Sequence, residues 1–126
     1  MTSEPWMGDA CSLVDAFRAG IISPTEALEG SLAAIADSKL NAVCFVDEEP
    51  AREAAASADV QLPFGGVPIG VKELDAVKGW PQTEASLVFK DRVAEYDATT
   101  TARLRKAGAV LVAETTASEF GGINCT

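Results

Sequence analysis

The sequence contains no histidine, so a Ser-His-Asp triad is excluded by composition alone. Cysteine is scarce: Cys11, Cys44 and Cys125 are odd in number, widely spaced, and lack the C-x-x-C spacing of a metal or redox site. Neither a metal nor a cofactor is expected. Cys11 falls in an apolar helical run and Cys44 within Val43-Cys44-Phe45-Val46, so both read as buried thiols. Basic residues are also few, 10 against 19 carboxylates, for a net charge of −9. That balance argues against nucleic acid or anionic membrane as a partner, and the carboxylates are spread along the chain as a solubilising surface. No apolar run approaches the roughly 20 residues needed to cross a bilayer. The start, Met1-Thr2-Ser3-Glu4-Pro5, shows no basic segment followed by an apolar one, so a secretory signal is not expected and a reduced, cytoplasmic setting is.

What remains is a globular composition, 48% apolar and 23% charged over 126 residues, enough for one domain with a core. No repeat, low-complexity stretch or Pro/Gly/Ser linker divides it. Asp9 to Ala19 reads as a helix with Cys11, Leu13, Val14 and Phe17 inward and Gly20 closing it. Ser23-Pro24-Thr25-Glu26 is a capping box with proline at the first helical position. Leu28, Leu32 and Ile35 follow at helical spacing, a stripe expected to pack on the first helix. Asn41 to Glu48 has the pattern of a strand, Pro50 to Ala58 of an alanine-rich helix, and Gln61 to Gly66 of a turn.

The run Gly65 to Glu73 predicts a short buried strand. With period 2, Val67, Ile69 and Val71 share one face while Pro68, Gly70 and Lys72 share the other. Lys72 thus stands among small residues, where another backbone can approach and desolvate the amine, which is how a lysine becomes a base. By itself a lysine at a strand end more often just reaches water. Glu73 to Tyr96 lacks a sustained period and reads as a long excursion with a short helix near Ser86 to Phe89. Asp97 is expected to cap the next helix, which ends in Arg103, Arg105 and Lys106 before Gly108. Ala109 to Ala113 is a second buried strand, and strand, helix, strand implies a parallel pair. Thr116 to Glu119 reads as a further capping box, which makes Glu119 a partner of Thr116 before it is a catalytic group.

The run Leu62 to Glu73 resembles the N-terminal hallmark of the amidase signature family. Pro81-Gln82-Thr83-Glu84-Ala85-Ser86 is similar to its Thr-x-Gly/Ala-Ser turn. Asp97 to Val110 is similar to its next helix and strand, and Glu114 to Phe120 to the following loop, so that the likeness covers about residues 8 to 126. The resemblance implies an α/β fold, in which N-terminal helices join part of a large mixed β-sheet. It also implies amide cleavage through an acyl-enzyme by a Ser-cisSer-Lys triad, with Lys72 as the base and a small-molecule amide as substrate. Gly121 and Gly122 fall where the family's loop lines the acyl pocket; many relatives carry a larger residue there, which implies a roomier pocket. Family members are several times longer, and the Gly/Ser-rich segment that supplies both serines corresponds to sequence beyond Thr126. Residues 1–126 are therefore expected to be the N-terminal portion of a single amidase domain, inactive alone and partnered by the remainder of that chain. The strands at 67–72 and 109–113 would then leave an unpaired edge, through which self-association is expected. Two alternatives stand beside this: an interaction module docking on a separate chain, and a transamidating amidotransferase subunit.

Overall fold

The computed structural model describes residues 8–124, so Cys125 and the Met1–Pro5 stretch lie outside the described residues. The elements are α1 (Ala10–Arg18), α2 (Pro24–Asp37), β1 (Val43–Val46), α3 (Glu48–Ala56), β2 (Pro68–Lys72), α4 (Thr99–Lys106) and β3 (Val110–Thr115). Short 3₁₀ turns occupy Leu87–Phe89 and Glu119–Gly121.

Asp9 starts α1 by accepting the Ser12 N–H at 2.7 Å, and Gly20 follows its end at φ +68°. Val14, Ala16 and Phe17 are buried. Cys11 is not: it shares the outer stripe of the helix with Asp15 and Arg18, one and two turns on, and is exposed. Cys44 is also exposed, contrary to expectation. It lies where the pairing register of β1 shifts between Val43 and Phe45, and this irregularity takes it off the core face.

The capping box of α2 forms in full, with Ser23 N–H donating to Glu26 at 2.8 Å and Glu26 N–H to Ser23 Oγ at 3.2 Å. Its stripe packs elsewhere than expected. Leu28 and Leu32 meet Ala51 and Ala55 of α3 together with Val110 and Val112 of β3, because the alanines of α3 let that helix approach closely. Ala27 makes the contact with α1, in a cluster with Val14, Phe17 and Val67. Helix α3 begins earlier than its proline suggested. Pro50 sits in the first turn, where no intrahelical N–H is lost, and Asp47 is drawn away from capping by the Trp80 indole N–H at 2.6 Å.

The cap expected at Asp97 is also absent. Ala98 occupies that position without a side-chain bond, while Asp97 accepts from Lys78 N–H at 2.8 Å and from Arg105 Nε at 3.0 Å. A charge-assisted pair with Arg105 is the stronger use of the carboxylate.

The sheet has the order β1-β3-β2, with β3 antiparallel to β1 and parallel to β2. It is a mixed α/β arrangement, as the sequence implied. Val110 and Val112 face α2 and α3, whereas Ala109 and Leu111 face Val71, Val77 and Trp80. Of the two strands expected to leave an unpaired edge, β3 is paired on both sides, because β1 adds to its second edge, and β2 is an edge of the sheet formed by the described residues. The turn before β2 is stitched to the α4–β3 junction, with Phe64 N–H on Ala107 O and Gly66 N–H on Gly108 O, both at 2.9 Å. Gly108, at φ +93°, lies so close that a Cβ there would sit 2.9 Å from Gly65 Cα. Among the described residues, no helix is long and apolar enough to cross a membrane.

Candidate functional site

The packing of β2 follows its alternation. Val67 and Val71 are buried and Ile69 packs beside each of them, while Gly70 and Lys72 face outward. Lys72 ends the strand in register with Thr115 of β3, and none of the ion pairs among the described residues involves it. The chain turns at once, with Asp75 N–H donating to Lys72 O at 2.8 Å.

Glu73 points the other way and is 8% exposed. Its Oε1 accepts the Ala117 N–H at 2.7 Å, and its Oε2 lies 3.5 Å from Thr83 Oγ1 and 3.6 Å from Cys44 Sγ. One carboxylate therefore joins the end of β2, the turn at residue 83 and the loop after β3. That turn is tight: Glu84 and Ala85 both adopt left-handed φ, near 52° and 56°, and Thr83 Oγ1 accepts the Ala85 N–H at 3.2 Å. Ser86, buried at its end, donates to Glu119 at 2.7 Å. The capping box expected for Glu119 is thus not formed. Thr116 is still held by the sheet, its N–H on Ala42 O at 3.0 Å, so the helical turn begins only after Ser118.

Gly121 has φ +68°, and a Cβ on it would lie 2.7 Å from Leu74 Cδ1, two residues past Lys72. The Phe120 N–H donates to Glu84 O at 2.9 Å, which holds the same loop on the 83–86 turn. Gly122 is exposed, and a Cβ there would meet only an ordinary contact with Glu119 O at 3.6 Å. The fold thus brings the loop of Gly121 to the end of the Lys72 strand, with Gly122 at its outer margin.

Sequence reasoning missed Glu114. It lies inside β3, 2% exposed, with its Oε1 lacking a hydrogen-bond partner among the described residues. Burial, and then the charge of Glu73, pushes its carboxyl up to about 7. Cys44 sits between the two acids and is pushed up to about 11, by desolvation first and then by Glu73 and Glu114. The available signal was a carboxylate within an otherwise apolar strand, Val110-Leu111-Val112-Ala113-Glu114. Among the described residues, no group of three or more His, Cys, Asp or Glu could hold a metal ion. A cleft of about 530 Å³ lies elsewhere, lined by Asp47, Lys78, Trp80 and Arg105 among others, and does not include Lys72.

The Lys72 strand, the 83–86 turn and the Gly121 loop all fall within residues 26–126, the span matched by the family model described as Amidase. The chain belongs to the amidase signature family. Its relatives include a glutamyl-tRNA(Gln) amidotransferase subunit of Methylacidiphilum infernorum (isolate V4), 41% identical over 101 residues, covering 79% of this chain and 20% of the relative. The corresponding protein of Anaeromyxobacter dehalogenans (strain 2CP-C) is 42% identical over 108 residues, covering 79% and 22%. Among solved structures, 6-aminohexanoate cyclic dimer hydrolase superposes with a TM-score of 0.84 at 30% identity over 94% of this chain and 25% of that one. The peptide amidase from Stenotrophomonas maltophilia gives a TM-score of 0.81 at 27% identity over 89% and 25%. The chain spans about a fifth of the length of the curated relatives it matches.

Proposed function

We propose that these residues are the base-bearing, N-terminal portion of an amidase domain that cleaves amides through an acyl-enzyme, with Lys72 as general base. The observation that carries this is the setting of Lys72: outward at the end of edge strand β2, beside a glycine, free of ion pairs among the described residues. A further segment laid over the face that Lys72 and Gly70 share would take the ammonium out of water, which favours the neutral amine. Lys72 would then accept a proton from a bridging serine, which in turn takes the proton of the serine that attacks the amide carbonyl. The amine leaves, and water releases the acyl group. Both serines come from polypeptide outside these 126 residues, because no serine here sits in a glycine-flanked cluster. The loop of Gly121 and Gly122 lines the acyl pocket; Leu74 occupies the place a side chain on Gly121 would take, so the room for a bulkier acyl group lies beside Gly122.

One observation favours a second outcome for the acyl group. The curated relatives above are glutamyl-tRNA(Gln) amidotransferase proteins, which supports ammonia as an alternative acceptor to water. With its charge of −9, this part of such a protein would not itself hold the transfer RNA.

The test is a polypeptide that continues these residues through the Gly/Ser segment, assayed on aliphatic and aryl amides with and without Lys72→Ala. Loss of turnover of ~10²- to 10⁴-fold is expected, the range for a lost general base. A variant within a few-fold of the parent would return Lys72 to an ordinary surface lysine. Turnover by the 126-residue chain alone, abolished by the same substitution, would show that the nucleophile lies within it.

A further inference from the structure

Glu73 and Glu114 are buried together, and among the described residues no cation lies between them. Glu73 takes three donors, Ala117 N–H, Thr83 O–H and Cys44 S–H, a pattern that suits the acceptor-only, ionised carboxylate. Glu114 is the more deeply buried of the two. Its neighbour in β1 is Phe45 and in β2 Val71, so the flanking strands offer it apolar surface at the paired positions. Its Oε2 lies 4.0 Å from Cys44 Sγ, and its Oε1 has no hydrogen-bond partner among the described residues. A thiol has one proton to give, so Cys44 cannot satisfy both acids.

The titratable groups facing Glu114 are Glu73, from the turn after β2, and Cys44, from β1. The charged groups of the surrounding loops are engaged elsewhere: Arg92 with Glu84 and Gln82 O, and Glu119 with Ser86. With no positive charge among the described residues to offset it, a second buried carboxylate carries the full cost of desolvation, and the neutral acid is the form that avoids this cost.

We propose that Glu73 and Glu114 are a positioning pair for the amidase site: Glu114 carries a proton so that Glu73, left as the single charge, can hold the Gly121 loop through Ala117 against the end of the Lys72 strand. Ionisation of Glu114 sets two like charges side by side and weakens the hold on Ala117. The loop's attachment then depends on pH, with a transition near 7, where burial and the Glu73 charge have moved the Glu114 carboxyl. This deepens the reading of Lys72 as the base and rests on it for its functional meaning, but its test needs no turnover.

The experiment follows the backbone amide of Ala117, together with those of Gly121 and Gly122, by ¹⁵N–¹H spectra of the 126-residue chain from about pH 5.5 to about pH 9, a range spanning the raised carboxyl. In the parent chain the Ala117 amide should shift in a single transition with its midpoint near pH 7. Glu114→Gln, a neutral side chain of the same shape, should fold and show no transition. Glu73→Gln keeps an oxygen for Ala117 and removes the neighbouring charge, so the midpoint should fall while remaining above that of a free glutamate, burial being the larger cause. A flat parent profile, a transition that survives in Glu114→Gln, an unchanged midpoint in Glu73→Gln, or a Glu114→Gln chain that fails to fold would each overturn the proposal. None of these outcomes touches the dependence of turnover on Lys72, so failure of the pair and failure of the amidase reading are separable.

Discussion

The helix-covered face of β3 and the Lys72 end of the sheet are held by different means. Toward α2 and α3 the contact is apolar throughout, with Leu28, Leu32, Ala51 and Ala55 against Val110 and Val112, and a capped helix behind it. At the Lys72 end the sheet stops at an edge strand, and the loops around it are held by single polar links: Glu73 to Ala117, Ser86 to Glu119, and Glu84 O to Phe120. Leu87, Val88, Phe120 and Ile123 are exposed on these loops. The contrast separates two tasks. Non-directional burial supplies the stability, whereas the edge gives up packing to keep an amine, a carboxylate and a glycine loop in fixed relation.

Substitutions on each side should therefore dissociate. The largest effect belongs to the open end, where Lys72→Ala in the longer polypeptide should remove nearly all turnover while leaving the urea midpoint unchanged. A matching loss of stability would show that the lysine packs. On the sealed side, Leu28→Ala, at a position 0% exposed, should cost about 2–5 kcal/mol by equilibrium denaturation. A cost below about 1 kcal/mol would mean that the helices collapse onto the gap and that the contrast is weaker than the packing implies.

Next in size is the pH response. The Glu114 carboxyl is raised from 4.5 to about 7 in the folded chain. Its favourable contribution is complete below 4.5, declines as the pH rises, and is gone above about 7. The decline is on the order of 3 kcal/mol for a shift of this size. Unfolding free energies at pH 5 and pH 8 measure it, and Glu114→Gln should flatten the difference. Asp97 and Glu29, whose carboxyls are held low by Arg105 and Arg52, work in the opposite sense only below their ordinary 3.8 and 4.5, outside this window. The smallest effect should come from Arg52, which bridges Glu29 of α2 and Glu48 and Glu49 of α3 at the surface. Exposed pairs of this kind are worth about 0–1 kcal/mol, so Arg52→Ala should fall within that range and shrink further in salt.

Local signals carried much of the fold. The capping box at Ser23, the alternation from Val67 to Lys72, the 3₁₀ turn after Ser86 and the parallel pairing of β2 with β3 are each written in a few adjacent residues. Competition between distant partners was not readable in this way. Asp97 fits a helix cap by spacing, yet Arg105 claims it, and Asp47, just before α3, takes the Trp80 indole N–H. Glu119 fits a box with Thr116, yet takes the hydroxyl of Ser86, 33 residues away in sequence. Cys11 lay within an apolar run whose inward stripe passes it by, and Cys44 met a register shift that no single strand reveals. At the site, Lys72 and the glycines could be named from motif and alternation. The Glu73–Glu114 pair could not, since it exists only once β2 and β3 lie side by side.

The position of β3 at the centre of the sheet has a consequence for how the chain is made. Val43 pairs with Thr115, and Pro68 with Val110, so neither of the outer strands has a partner until the last part of this sequence has been synthesised. At ~5–20 residues per second, β1 waits roughly 4–14 s for β3 to leave the ribosome. During that interval α1, α2 and α3 can form as helices, but Leu28 and Leu32 have no valines to cover them. The nascent chain thus carries an uncovered helical stripe and two unpaired strands at the same time. The arrival of β3 should bury all of them in one step, making the sheet close late and cooperatively rather than strand by strand.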